Sequence, residues 1–260
     1  MSTLTLSQYS LVYNAFSFVF ATMFASFIYF VLARQQIAPQ YRNALTMTAL
    51  VVAVAAYHYF RIFDSWQNAF TISNSGITPS GKPFNDAYRY VDWLLTVPLL
   101  VAELVAVLGL ARAKATNLTM RLAAAAALMV ILGYPGEIAS DNGTRLVWGI
   151  LSTIPFIYIV FTLFTEMSSA IERQSPEVKN LFRITRMVLL ITWGFYPIVY
   201  SLHYLGNFDA NIILGVQLGY CIADVLAKAG YGLLIYQIAR TKSELVEPAA
   251  VTPQTVTAKT

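Results

Sequence analysis

RYVDWLLTVPLLVAELVAV, from Arg89 to Val107, reads as a membrane-spanning helix that carries two acids. Beyond Arg89, only Asp92 and Glu103 interrupt an apolar run of the length that crosses a hydrocarbon core about 30 Å thick. Charged side chains at that depth are costly, and where they occur they face a bundle interior or an ion path. Asp92 and Glu103 are eleven residues apart, which is three helical turns to within about 20° and roughly 16 Å of rise. The two carboxylates therefore line one face at different depths. Arg89 and Thr96, three residues before Asp92 and four after it, share that face. The pattern is a file of proton-binding groups along a helix, not a salt-bridge cluster, and it needs further helices to enclose it.

The rest of the chain supplies them. Of 260 residues, 57% are hydrophobic and 12% charged, against about a quarter charged in soluble domains. Seven apolar segments follow one another, at roughly 9–33, 44–64, 87–110, 118–139, 144–170, 178–205 and 210–239. The fold class is an all-α membrane protein, a seven-transmembrane helix bundle in one domain over residues 1–240. A polar tail over 241–260 reads as disordered. The longest connection, 65–86, contains SNSGITPSGKP, whose turn formers suggest a hairpin. The N-terminus shows no cleavable leader pattern, so the first helix is read as its own insertion signal. Cys221 is the single cysteine, which excludes an intrachain disulfide.

Basic residues fall on alternate connections. Arg34, Arg42, Arg112, Lys114, Arg121, Arg173, Lys179, Arg183, Arg186, Arg240, Lys242 and Lys259 belong to one side, and only Lys82 and Arg145 to the other. The positive-inside rule then places the N-terminus outside and the C-terminus in the cytoplasm. This also accounts for the net charge of +4 without a nucleic-acid partner.

Besides Arg89, Asp92 and Glu103, the ionisable residues within the apolar segments include His58, Arg61, Asp224 and Lys228. Arg61, near the end of the second segment, is read as snorkelling to headgroups. Asp224 and Lys228 are four residues apart on one helical face. A lysine in a membrane core is readily neutral and nucleophilic, which suits Schiff-base formation with an aldehyde. Nearby carboxylates would hold the resulting iminium protonated. The residues alone lead to a seven-helix protein with a buried lysine, two candidate counterions and a third carboxylate. No metal site is read.

Four stretches resemble the microbial rhodopsins, and within them the proteorhodopsin and xanthorhodopsin group. These are RYVDWLLTVPLL on the third helix, VWGILSTIPF (Val147–Phe156) on the fifth, WGFYP (Trp193–Pro197) on the sixth and ADVLAK around Lys228 on the seventh. The resemblance implies a light-driven outward proton pump, an ion transporter and not an enzyme, in a bacterial plasma membrane. It implies all-trans retinal as a Schiff base on Lys228, with Asp92 as counterion and proton acceptor and Asp224 as second counterion. Glu103, resting protonated, would be the proton donor. Arg89 would shuttle between Asp92 and the exit, Tyr59 and Tyr196 would hydrogen-bond Asp224, and His58 would hydrogen-bond Asp92. The third-helix set Asp92, Thr96 and Glu103 matches the proton pumps of the group, whereas sensory relatives usually lack the donor carboxylate. A photosensor acting through a partner is the alternative, and a retinal-free receptor or scaffold a more distant one.

Further positions carry expectations from the same resemblance. Trp93 and Trp193 would sandwich the polyene, Pro197 would kink the sixth helix, and Leu100 implies green absorption. Gly149, beside Trp148, stands where many retinal pumps have a bulky tryptophan. It implies a window for a xanthophyll or keto-carotenoid antenna, with close helix packing as the plainer reading. A homo-pentamer is the expected assembly. The outer face shows no paired carboxylates for proton release, because Glu137, Asp141 and Asp209 are scattered along the sequence.

Overall fold

The structure is a computed structural model, and it describes residues 3–73, 76–85, 87–204 and 209–246. Seven helical spans alternate in direction: α1 (Leu6–Ala33), α2 (Arg42–Ala69), α3 (Tyr88–Val107), α4 (Arg112–Glu137), α5 (Asn142–Ile171), α6 (Pro176–Ser201) and a seventh built from three pieces. Those pieces are α7 (Ala210–Asp224), a π-helical stretch (Val225–Gly230) and α8 (Tyr231–Val246). All seven are long and apolar enough to cross a bilayer. Helices are what such segments must form, because hydrocarbon offers no partner to an unpaired backbone N–H or C=O.

The side chains are sorted for that solvent. Phe18, Ile154, Phe161 and Ile191 point outward and are more than 60% exposed, while Phe16, Tyr59 and Trp66 are fully enclosed. The polar and charged groups Arg89, Asp92, Thr96, Glu103, Asp224 and Lys228 are at most 1% exposed. Apolar outside and ionisable inside is the reverse of a soluble bundle.

The hairpin forms as β1 (Phe70–Ser73) paired antiparallel with β2 (Gly76–Pro79), and Leu4 bridges to Ile77. The turn residues 74–75 lie outside the described residues. This hairpin marks one end of the bundle, which it shares with the starts of α1, α3, α5 and α7. Two of the scattered carboxylates are helix caps there. Asp141 accepts from the Thr144 N–H at 2.8 Å, and Asp209 from the N–H groups of Asn211 and Ile212, both at 2.9 Å. The Thr144 N–H holds the Asp141 carboxyl below its ordinary range.

The seventh span runs further than the sequence suggests. Its helix continues to Val246, so residues 241–246 are not part of a disordered tail. Ser243 Oγ accepts from the Ala38 N–H at 2.9 Å, and the Lys242 ammonium donates to the Val107 carbonyl at 2.9 Å. These polar residues read as tail because they are hydrophilic, yet they tie the helix to the ends of its neighbours. Residues 247–260 lie outside the described residues.

Candidate functional site

Lys228 reaches the bundle axis from a π-helical stretch, in which each turn takes one residue more than in an α-helix. Such stretches are rare and concentrate at functional sites. Lys228 Nζ donates to Asp92 Oδ2 across the bundle at 2.5 Å and to Asp224 Oδ1 at 2.7 Å. The seventh and third helices are thus joined through one ammonium held by two carboxylates.

The two carboxylates are held very differently. Asp224 Oδ2 accepts from Tyr59 OH at 2.6 Å. Its Oδ1 accepts from Tyr196 OH at 2.6 Å and from Trp93 Nε1 at 3.1 Å, besides the lysine. Asp92 has only the lysine, on Oδ2, and its Oδ1 has no hydrogen-bond partner among the described residues. Four donors fix Asp224 as an anion, because protonation would break charge-assisted hydrogen bonds. Asp92 keeps an open oxygen at full burial, and its lone pairs are available.

Several neighbours take positions that the sequence did not reveal. Trp93 lines the cavity beside Lys228 and also anchors Asp224 through its indole N–H. Thr96 spends its hydroxyl on the Asp92 backbone carbonyl at 2.9 Å, so it steadies the helix and not the carboxylate. The expected hydrogen bond from His58 to Asp92 is not formed. His58 Nδ1 is instead 2.9 Å from the carbonyl of Val54, one turn back on α2. Arg89 donates through Nη2 to Gln217 Oε1 at 2.6 Å, with its guanidinium 5.0 Å from the Tyr220 ring centroid. Arg61 is tied by its two terminal nitrogens to Tyr57 OH at 3.0 Å and Tyr88 OH at 2.7 Å. Phenols, and not only headgroups, therefore satisfy it.

Three turns along α3, Glu103 is fully buried and accepts from Thr48 Oγ1 at 2.5 Å. Glu103 Oε1 has no partner among the described residues, nor has the hydroxyl of Tyr231 in the same neighbourhood. Gly232 permits this closeness of helices. A Cβ there would stand 2.5 Å from Thr48 Cγ2 and 2.9 Å from the Phe30 ring. Thr48 and Tyr231 escape notice in the sequence because each is an ordinary residue in an apolar helix, and only packing places it beside Glu103.

From Lys228 a cavity of about 140 Å³ extends between α3, α4, α5 and α6. Its walls include Trp93, Leu100, Gly149, Trp193, Tyr196 and Pro197. Pro197 lies inside α6, where a proline lacks the N–H that the helix would use. A Cβ added to Gly149 would stand 3.1 Å from Tyr200 Cε1. A mostly apolar cavity with the Lys228 amine in its wall, itself held by two carboxylates, fits an apolar aldehyde. The amine can bond covalently to the carbonyl carbon, and the carboxylates can balance the charge that results.

A family model described as bacteriorhodopsin-like protein matches residues 11–242. The chain is 30% identical over 232 residues to a green-light absorbing proteorhodopsin of a gamma-proteobacterium, covering 88% of this chain and 86% of the relative. It is 30% identical over 220 residues to bacteriorhodopsin of Halobacterium salinarum, covering 82% and 78% of the two chains. Among solved structures it resembles xanthorhodopsin, described as a light-driven ion pump with dual chromophore. The TM-score is 0.91 and the identity 54%, over 95% of this chain and 99% of that one. A thermophilic rhodopsin superposes with the same TM-score at 47% identity, over 95% and 99% of the chains.

Proposed function

Since the chain belongs to the bacteriorhodopsin-like family, we propose that it is a light-driven pump moving protons outward across a bacterial plasma membrane. The observation that carries this reading is the unequal footing of the two carboxylates on Lys228 Nζ. Asp224 accepts from four donors, and Asp92 is buried with one oxygen open.

Lys228 Nζ would hold retinal covalently, with Trp93 and Trp193 among the residues lining its site, and the bound group would supply the response to light at that nitrogen. Asp92 takes the proton, because its Oδ1 carries no donor, whereas Asp224 is held as an anion by the hydrogen bonds of four donors. Glu103 returns a proton to Nζ from the other end of the bundle. For this the Glu103 carboxyl rests protonated, and full burial with one neutral hydroxyl as partner supports that state. The depth order Asp92, Lys228, Glu103, together with the N-terminus outside, gives the transport its direction.

The decisive experiment is to express the chain with all-trans retinal and illuminate unbuffered cells. External acidification abolished by a protonophore supports the pump, whereas a coloured protein with no pH change favours a photosensor. Glu103→Gln is expected to slow reprotonation at Nζ by at least tenfold while leaving loss of the proton to Asp92 at the normal rate. Flash spectroscopy checks this, and an unchanged cycle removes Glu103 from the donor role.

Leu100 on the cavity wall supports green absorption, and Gly149 supports a carotenoid antenna lying against α5. Gly149→Trp is expected to abolish excitation transfer from an added keto-carotenoid or xanthophyll. The excitation spectrum of retinal fluorescence reads this out, and transfer that persists would exclude the glycine gap as the contact. A homo-pentamer is the assembly proposed, and cross-linking in native membranes tests it.

A further inference from the structure

Glu137 is the one of the three scattered carboxylates that is not a helix cap. It ends α4 at the hairpin end of the bundle and is half-buried. Its Oε2 accepts from Tyr90 OH of α3 at 3.3 Å and from Tyr220 OH of α7 at 3.4 Å. Both phenols also line the cavity that ends at Lys228. The Tyr220 ring packs 5.0 Å from the Arg89 guanidinium, and Arg89 lies one turn from Asp92 on the same face of α3. Tyr220 therefore has its ring against the cation beside the acceptor and its hydroxyl on the Glu137 carboxylate.

The backbone around Glu137 is held in place. Arg145, buried on α5, donates to the Gly136 carbonyl at 3.2 Å and to the Ala139 carbonyl at 2.6 Å. Tyr200 of α6 donates to the Arg145 carbonyl at 2.8 Å. Tyr90, Arg145, Tyr200 and Tyr220 thus face Glu137 from the four other helices packed on this corner. Proton transfer needs hydrogen-bond reach between named groups, and a rigid corner preserves it.

We propose that Glu137 is the carboxylate through which the proton accepted by Asp92 leaves the protein, with the Tyr220 hydroxyl as its relay. The inference rests on the outward proton-pump reading. Asp92 gives up one proton toward the Arg89 side. The Tyr220 oxygen takes a proton as it passes its own to Glu137 Oε2, and Glu137 releases that proton to water. Each group ends as it began, and one proton has crossed from Asp92 to the bulk.

The test is flash photolysis of the retinal-loaded full chain with a pH-sensitive dye in the medium. In Glu137→Gln, proton loss from Lys228 Nζ to Asp92 should keep its wild-type rate, while release to the bulk slows at least tenfold. Glu137→Asp should recover most of the rate, and Tyr220→Phe should slow release severalfold. Release at the wild-type rate in a coloured Glu137→Gln protein overturns the proposal. So does a slowing of both steps together that aspartate does not rescue, which is the mark of a merely structural role. If Glu137→Gln fails to assemble, unchanged release in Tyr220→Phe overturns the relay. A wild-type chain that moves no protons under light instead fails the pump reading, and the wild-type control keeps the two failures apart.

Discussion

Lys228→Ala is expected to give a protein that stays colourless with all-trans retinal and acidifies nothing under light. The loss should be complete, at least a hundredfold below wild type, because no other described lysine lines the cavity. Lys228 is also the cation between Asp92 and Asp224, at 2.5 Å and 2.7 Å. Its removal leaves two buried carboxylates without their counter-charge, and breaking a buried pair from one side costs roughly 3–5 kcal/mol. The variant should therefore be less stable as well as colourless, and Lys228→Ala combined with Asp92→Asn should regain part of that stability without colour. Absorption spectra and thermal denaturation of the purified proteins check both statements. Colour retained in Lys228→Ala would mean that retinal attaches elsewhere.

Asp92→Asn is the second large effect, and of a different kind. Asparagine fills the same space and can still accept from Nζ, but it cannot take up the proton. Pumping should fall to background, at least fiftyfold, while the protein remains coloured. The absorption should move to longer wavelength, because the anion that favours positive charge at the nitrogen is gone. Light-driven pH changes in cells and the absorption maximum measure the two. Pumping that survives would transfer the acceptor role to Asp224, and the four donors on that carboxylate argue against it.

The spans and the core of the site are legible in the sequence because charge in an apolar run is a loud signal. Asp92, Glu103, Asp224 and Lys228 stand out against their neighbours, and helical spacing places each pair on one face. What is not legible depends on which helix packs against which. Thr48 has no special pattern, yet its hydroxyl is the partner of Glu103, and nothing in the sequence gives Trp93 its hydrogen bond to Asp224. Glu137 looks isolated because its two phenols come from α3 and α7. The π-helical stretch is silent for a different reason, since VLAKAG is equally able to continue an α-helix. The cap at Asp209 was readable, because an acid just before an apolar helical run is a start signal, whereas at Asp141 the polar stretch Asn142–Arg145 intervenes. Residues 241–246 failed as tail because hydrophilicity says nothing of the bonds from Lys242 and Ser243 to neighbouring helix ends.

If Asp92 and Glu103 act as the proposed acceptor and donor, their three-turn separation along α3 also divides the electrical work of the cycle. Carrying one charge across a membrane costs about 2.3 kcal/mol per 100 mV. The hop from Nζ to Asp92 covers 2.5 Å, a small part of a core about 30 Å thick, and so does almost none of that work. The two carboxylates are roughly 16 Å apart along the axis, about half the core. The stretch from Glu103 to the Asp92 level therefore carries on the order of 1.2 kcal/mol per 100 mV. A charged membrane leaves the light-triggered step nearly untouched and loads the refilling step. The opposing voltage thus acts as a brake on the dark half of the cycle, where Glu103, Thr48 and Tyr231 are placed.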